Sequence, residues 1–140
     1  MPQRTLGEIV RDQDPLILAP TATVSEACAA MYRRHVGAVL IANADRQLQG
    51  IFTGRDAVRL LAEGLDAKAT AVSAVMTRNP TTLGRKATAM DALLLLNDCG
   101  FRHVPIVDHG QVVGIVSRYD FRAREQARMD DESGFMEVMR

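Results

Sequence analysis

Internal repetition constrains this chain more than any other feature, because a period of this length sets the unit of folding. Residues Thr23 to Ile41 lie over Thr88 to Ile106 at a constant offset of 65. Each copy opens on a threonine with an acid three positions later, Thr23 with Glu26 and Thr88 with Asp91. That pattern starts helices, since the two side chains satisfy each other's orphan backbone N–H groups. In the first copy Val24, Ala27, Cys28 and Met31 follow at i, i+3, i+4 and i+7, an apolar helical stripe. In the second, Leu93 to Leu96 are apolar all round, which predicts a more buried helix. A β-like run comes next, Val36–Ala42 in one copy and Val104–Val107 in the other. Polar turn residues separate it from a second run, Leu48–Phe52 or Val112–Val116, where the offset has become 64. Further helices are expected from about Thr53 and Ser117, and short leading strands at Leu16–Leu18 and Thr81–Leu83.

Each copy therefore reads β-α-β-β-α. The fold class is α/β (α+β): two repeats related by a pseudo-two-fold axis and packed through their sheets. A unit of ~60 residues buries too little apolar surface to stand alone. The expected divisions are 1–75 for the first repeat with its lead-in, 76–128 for the second, and 129–140 for a tail. Residues Gly64 to Thr77 connect the copies, with a short helix expected over Val72–Met76.

Charge divides as evenly as the pattern. Residues 1–75 carry 8 basic and 8 acidic side chains, and residues 76–140 carry 9 and 9. Nucleic acids and anionic membranes select lopsided chains, so neither is favoured as a partner. Aromatics make up 4% of the chain and tryptophan is absent, which disfavours base stacking. Fifteen of the 17 basic residues are arginine, for which codon bias is a simpler account than function. No apolar run reaches the ~18 residues of a membrane span, and no signal-peptide core follows the N-terminus, so a cytoplasmic location is expected. Cys28 and Cys99 lack CxxC spacing, and His35, His103 and His109 form no zinc pattern. Two reduced thiols and no metal are expected. Arg118, Arg122, Arg124 and Arg128 run into Asp130, Asp131 and Glu132, which suits a solvated, self-compensated helix. The tail Ser133–Arg140, with Phe135, Met136, Val138 and Met139, either packs on a partner or frays.

The chemistry-bearing residues sit where strand gives way to helix. One junction reads Gly50-Ile51-Phe52-Thr53-Gly54-Arg55-Asp56 and the other Gly114-Ile115-Val116-Ser117-Arg118-Tyr119-Asp120. Thr-x-x-Asp before a helix needs no ligand, because it caps the helix. Yet a helix N-terminus just past a sheet edge also favours an anion. There a hydroxyl can donate to phosphate, an ionised aspartate can accept from both hydroxyls of a ribose, and Arg55 and Arg118 add forked positive charge. On the residues alone, cap and ligand site stand level.

The doubled junction, together with Arg102-His103-Val104-Pro105-Ile106-Val107-Asp108 and Val75-Met76-Thr77 ahead of Pro80, resembles the cystathionine-β-synthase (CBS) domain family. The resemblance covers Leu6 to Glu125 as one tandem pair, a Bateman module. It implies adenosine-type ligands in two clefts between the repeats, with Asp56 and Asp120 on ribose hydroxyls and Thr53 and Ser117 on phosphate. Basic residues opening the middle strand also meet phosphate in this family, which carries to Arg102 and His103. Their counterparts in the first copy are Gly37 and Ala38, so the two sites are not equivalent. Adenine is expected against Ile51 or Ile115, with a leading-strand residue, Leu16 or Thr81. The implied function is regulatory: a homodimer that binds AMP, ADP, ATP or another adenosyl ligand, without a catalytic cofactor, and signals to a protein partner in trans. A ligand-free scaffold or dimerisation module is the alternative. A small enzyme with His103 as acid or base comes last, because no nucleophile or partner accompanies that histidine.

Overall fold

A computed structural model describes residues 4–99, 101–122 and 125–127. The described chain forms helix α1 (Leu6–Ile9), strand β1 (Ile17–Leu18), α2 (Val24–Arg34), β2 (Ala38–Ala42), β3 (Leu48–Thr53) and α3 (Gly54–Ala62). A 3-10 turn (Val72–Ala74), β4 (Thr77–Arg78), β5 (Leu83–Gly84), α4 (Ala89–Asp98), β6 (Val104–Asp108), β7 (Gln111–Val116) and a second 3-10 turn (Arg118–Asp120) follow. These elements divide into two units.

The first unit comprises Asp14–Thr81 with the hairpin segment Val107–Val112. Its sheet has the order β1-β2-β3-β4, with β1 parallel to β2 and the remaining pairs antiparallel. Thr23 caps α2 by accepting from the Glu26 N–H, and His35 ends it in the left-handed region at φ 55. The apolar stripe of α2 delivers Val24, Ala27 and Met31 to a core with Val39, Ile41, Phe52, Leu60, Val72 and Met76. All five residues of β2 are buried, as a near-continuous apolar run predicts for a strand covered on both faces.

The second unit comprises the described residues of 4–13, 82–106 and 113–127. Its core joins Ala89, Ala92, Leu93 and Leu96 of α4 to Val104, Ile106, Val116 and Phe121. Leu6 and Val10 complete it. The lead-in, grouped with the first repeat from sequence, belongs here instead. Backbone bonds hold it: Leu6 N–H to Ala87 O at 2.8 Å, Gly7 N–H to Arg85 O at 3.0 Å and Ala89 N–H to Arg4 O at 3.0 Å. A capping box that the repeat did not announce, Thr5 with Glu8, starts α1.

Several expected elements are shorter or displaced. The leading strands are Ile17–Leu18 and Leu83–Gly84, so Leu16 and Thr81 lie just outside them. The expected Val72–Met76 helix is a single 3-10 turn. The helix expected from Ser117 is a 3-10 turn that stops where Phe121 turns extended and buries its ring in the core, with helical geometry again at 125–127. On α4 Leu94 is exposed, so the helix is not apolar-packed all round. Arg124, Arg128, the acids 130–132 and the tail 133–140 lie outside the described residues. Among the described residues no helix is long and apolar enough to cross a membrane, and no cluster of side chains could hold a metal.

Candidate functional site

The Gly-apolar-apolar-Thr/Ser-x-x-Asp segments occupy equivalent places in the two units. Each glycine is there because another segment crosses it. A Cβ on Gly50 would stand 2.5 Å from Met76 Sδ and 2.8 Å from Thr77 O. A Cβ on Gly114 would stand 2.6 Å from Val10 Cβ. The close approach over Gly50 is what lets β4 pair with β3, Gly50 opposite Arg78 and Ile51 opposite Thr77.

At the first junction Thr53 and Asp56 form a complete capping box. The Thr53 N–H donates to Asp56 Oδ2 at 2.9 Å, the Thr53 hydroxyl to the same oxygen at 3.0 Å, and the Asp56 N–H back to Thr53 Oγ1 at 3.2 Å. The Gly54 N–H donates to Gly37 O at 2.9 Å. Most of the first-turn donors that would greet an anion are thus satisfied internally. Asp56 Oδ1 faces Arg59 Nη2 at 3.7 Å, an i,i+3 pair that helical spacing could have revealed. Arg55 is exposed beside them. Ala38 is buried opposite Thr53 in the ladder, and Ile51 is buried opposite Leu40.

Strand parity decides which leading residue stands near Ile51. Ile17 pairs with Leu40, and Leu40 pairs with Ile51, so these three share one face. Leu16 packs instead against the core on the Val39, Ile41 and Phe52 side. Ile17, not Leu16, is the neighbour of Ile51, because a shift of one residue along a strand turns the side chain to the other face.

At the second junction the Ser117 N–H donates to Asp120 Oδ2 at 2.7 Å and the Ser117 hydroxyl approaches the same atom at 3.4 Å. Arg118 Nη2 donates to Asn97 Oδ1 on α4. Arg4 Nη2 donates to the Asp120 carbonyl at 3.3 Å and pairs with Glu125 at 2.5 Å. That pair holds the Glu125 carboxyl below its ordinary range, chiefly through the hydrogen bond from Arg4. Ile115 is held by Gln13, which no sequence signal 102 residues away could reveal. Gln13 Nε2 donates to Ile115 O at 2.9 Å and its Oε1 accepts from the Ile115 N–H at 2.7 Å.

Arg102 is exposed at the mouth of β6, with His103 half-buried behind it. His103 Nδ1 is buried and has no hydrogen-bond partner among the described residues. Burial pushes the His103 imidazole below its usual pKa. Asp120 pulls it up by a smaller amount and Arg102 pushes it down. The structure thus brings Arg102, His103, Ser117 and Asp120 together, and in the other unit Gly37, Ala38, Ile51, Thr53 and Asp56. Thr81 is exposed beyond the end of β4.

The model of the CBS domain family matches the chain twice, at residues 6–63 and 72–126. Among curated relatives, CBS domain-containing protein CBSCBSPB2 of Arabidopsis thaliana is 38% identical over 115 residues, 81% of this chain and 21% of the relative. The chain therefore spans about a fifth of the length of that relative. Among solved structures, CBSX2 in complex with AMP is 26% identical with a TM-score of 0.76, covering 89% of this chain and 98% of that one. A CBS domain protein from Pyrobaculum aerophilum complexed with AMP has a TM-score of 0.82 at 22% identity, covering 91% of this chain and 98% of that one, and so shares the fold.

Proposed function

Because the chain belongs to the CBS domain family, we propose that it is a cytoplasmic regulatory module that binds an adenine nucleotide or related adenosyl ligand and signals to a protein partner in trans. One observation carries this: two equivalent strand ends each hold an aspartate whose Oδ2 is locked by its own Thr or Ser cap. A carboxylate has about four lone-pair sites. Each aspartate is therefore oriented by its cap and keeps acceptor capacity for a ribose diol. The AMP held by CBSX2 supports the choice of ligand class. Adenine would lie against Ile51 with Ile17, or against Ile115, and phosphate near Thr53 with Arg55, or near Ser117 with Arg102, His103 and Arg118. Signalling would follow from differential affinity: a ligand that favours one arrangement of the module biases whatever reads that arrangement. A homodimer is part of the proposal, and the exposed Tyr32, Val58 and Leu61 on α2 and α3 support it.

The completed caps favour one competing reading, a ligand-free scaffold, since both boxes close without a ligand. Thermal melts with AMP, ADP, ATP, NAD and S-adenosylmethionine separate the two. A ligand at a hundred times its Kd stabilises by about 2.7 kcal/mol. In a domain of this size that is a Tm rise of roughly 5–20 °C. Asp56→Ala and Asp120→Ala should each remove part of that rise, measured against their own unliganded melts. No rise with any of the five ligands overturns the proposal in favour of the scaffold.

A further inference from the structure

We infer that the two ribose-binding aspartates serve different ligand classes: the Asp120 site takes a phosphorylated adenosine, and the Asp56 site takes an adenosyl group without phosphate. This rests on the adenosyl-binding reading above and sharpens it. The repeat aligns Arg102 and His103 with Gly37 and Ala38. The structure shows what that difference does at each place.

Beside Asp56 the polar groups are already committed. Gly37 presents no side chain, and its carbonyl accepts from the Gly54 N–H at 2.9 Å. Ala38 is buried opposite Thr53 in the ladder and offers a phosphate no polar group. The Thr53 hydroxyl both accepts from Asp56 N–H and donates to Asp56 Oδ2. Arg59, the cation nearest Asp56, is shared with Glu63 at 3.7 Å. Arg55 alone is a solvated charge, and a single solvated charge selects phosphate weakly.

Beside Asp120 the balance is reversed. Arg102 is exposed and has no ion-pair partner among the described residues. His103 has a buried Nδ1 with no partner, a costly arrangement in a folded protein. Costs of that kind call for a physical explanation, and a ligand that brings a matching polar group supplies one. Burial and, to a smaller extent, Arg102 hold the imidazole below its usual pKa, against the pull of Asp120. Arg4, which could otherwise weaken Asp120 for a diol, spends its guanidinium on Glu125 and on the Asp120 main chain. The carboxylate of Asp120 therefore stays available, while the Arg102 guanidinium and the unpartnered His103 ring supply polar groups for a phosphate.

Isothermal titration of the full chain with adenosine and with AMP tests this, using Asp56→Ala to isolate the Asp120 site and Asp120→Ala to isolate the other. Through the Asp120 site AMP should bind ~10- to 100-fold more tightly than adenosine, as charge-assisted hydrogen bonds would give. Through the Asp56 site the two affinities should agree within about 3-fold. Arg102→Ala and His103→Gln should erase the preference for AMP, the affinity for AMP falling toward that for adenosine. Both changes are conservative for the fold, since Arg102 is exposed and glutamine keeps polar atoms near those of the ring. An equal AMP preference at both sites, or a preference that survives both substitutions, overturns the inference and leaves adenosyl binding intact. Failure of both adenosine and AMP to bind the wild type overturns the inference together with the adenosyl reading on which it rests.

Discussion

Gln13→Ala should destabilise the second unit by about 1–3 kcal/mol. In the first unit the edge of β3 at Ile51 is paired by the backbone of Thr77 in β4. In the second unit the equivalent edge at Ile115 meets a side chain. The Gln13 amide donates to Ile115 O at 2.9 Å and accepts from the Ile115 N–H at 2.7 Å, the two bonds a neighbouring strand would make. Truncation leaves both backbone groups without a protein partner. A typical hydrogen bond contributes ~0.5–1.5 kcal/mol net, and two of them, half-buried and partly recovered by water, give the stated range. Gln13→Asn should behave almost as badly, because the amide is one methylene too short to reach. The assay is urea denaturation followed at the shared baseline, together with amide hydrogen exchange read at Ile115. Exchange is needed because two units can unfold in separate steps, which would blur a single global midpoint. The Ile115 amide should lose protection by about the same free energy as the midpoint shift reports. A loss below about 0.3 kcal/mol with unchanged Ile115 exchange would refute the idea that a side-chain amide stands in for a strand.

Other changes test other parts of the structure. Gly50→Ala should destabilise by about 1–3 kcal/mol through overpacking, since its Cβ would meet Met76 Sδ at 2.5 Å and the Thr77 carbonyl at 2.8 Å. Gly54→Ala, whose Cβ would find only Gly37 O at 3.9 Å, should be neutral or stabilising in the same melts. Leu6→Ala should cost about 2–5 kcal/mol and, by exchange, loosen the α4 core that Leu6 completes rather than the α2 core. Acid should weaken the second unit in two stages. His103 has a lowered folded pKa, so the unfolded chain binds its proton first and stability falls as pH drops below the ordinary 6.5. Glu125 is likewise lowered, and its contribution is present above the ordinary 4.5 and lost as pH falls through its folded value. His103→Gln should remove the first stage of a pH-melt series and Glu125→Gln the second. Thiol titration should find Cys99 fast and Cys28 slow, because Cys99 is exposed while burial raises the Cys28 thiol; equal rates would contradict this.

What could be read from the residues was local. A helix cap needs only four consecutive residues, so Thr23, Thr53, Thr88 and Ser117 announced their helix starts or turns without knowledge of the fold. The strand–strand–turn order followed from period and punctuation for the same reason. Parity was harder. Leu16 and Ile17 are both apolar, and only the register Ile17 with Leu40 shows which one faces Ile51. Long-range polar pairs left no trace at all: Gln13 with Ile115 and Arg4 with Glu125 are closed by tertiary packing, not by spacing. The meaning of the motif glycines was equally hidden. They look like part of a ligand fingerprint, yet each is explained by the atoms that cross it.

Those crossing atoms also explain why the chain is a pair. Leu6, Ile9 and Val10 lie over Val72, Val75 and Met76 at an offset of 66, so the two lead-ins are themselves copies. Val10 crosses Gly114 and Met76 crosses Gly50, which makes their roles equivalent as well. Yet Leu6 and Val10 sit in the core built on α4, β6 and β7, while Val72 and Met76 sit in the core built on α2, β2 and β3. Each lead-in therefore completes the core of the copy it does not precede in the repeat. A single copy cut from this chain with its own lead-in would carry the segment that fits the other copy's core and would lack the one that crosses its own motif glycine. Small units that cannot bury enough apolar surface alone are stabilised by such an exchange. The test is to express residues 72–140 alone and again with a peptide of residues 1–13 supplied in trans. The fragment alone should lack cooperative melting, and the peptide should restore it in a concentration-dependent way. A fragment that melts cooperatively without the peptide would show that the lead-in decorates the second unit without completing it.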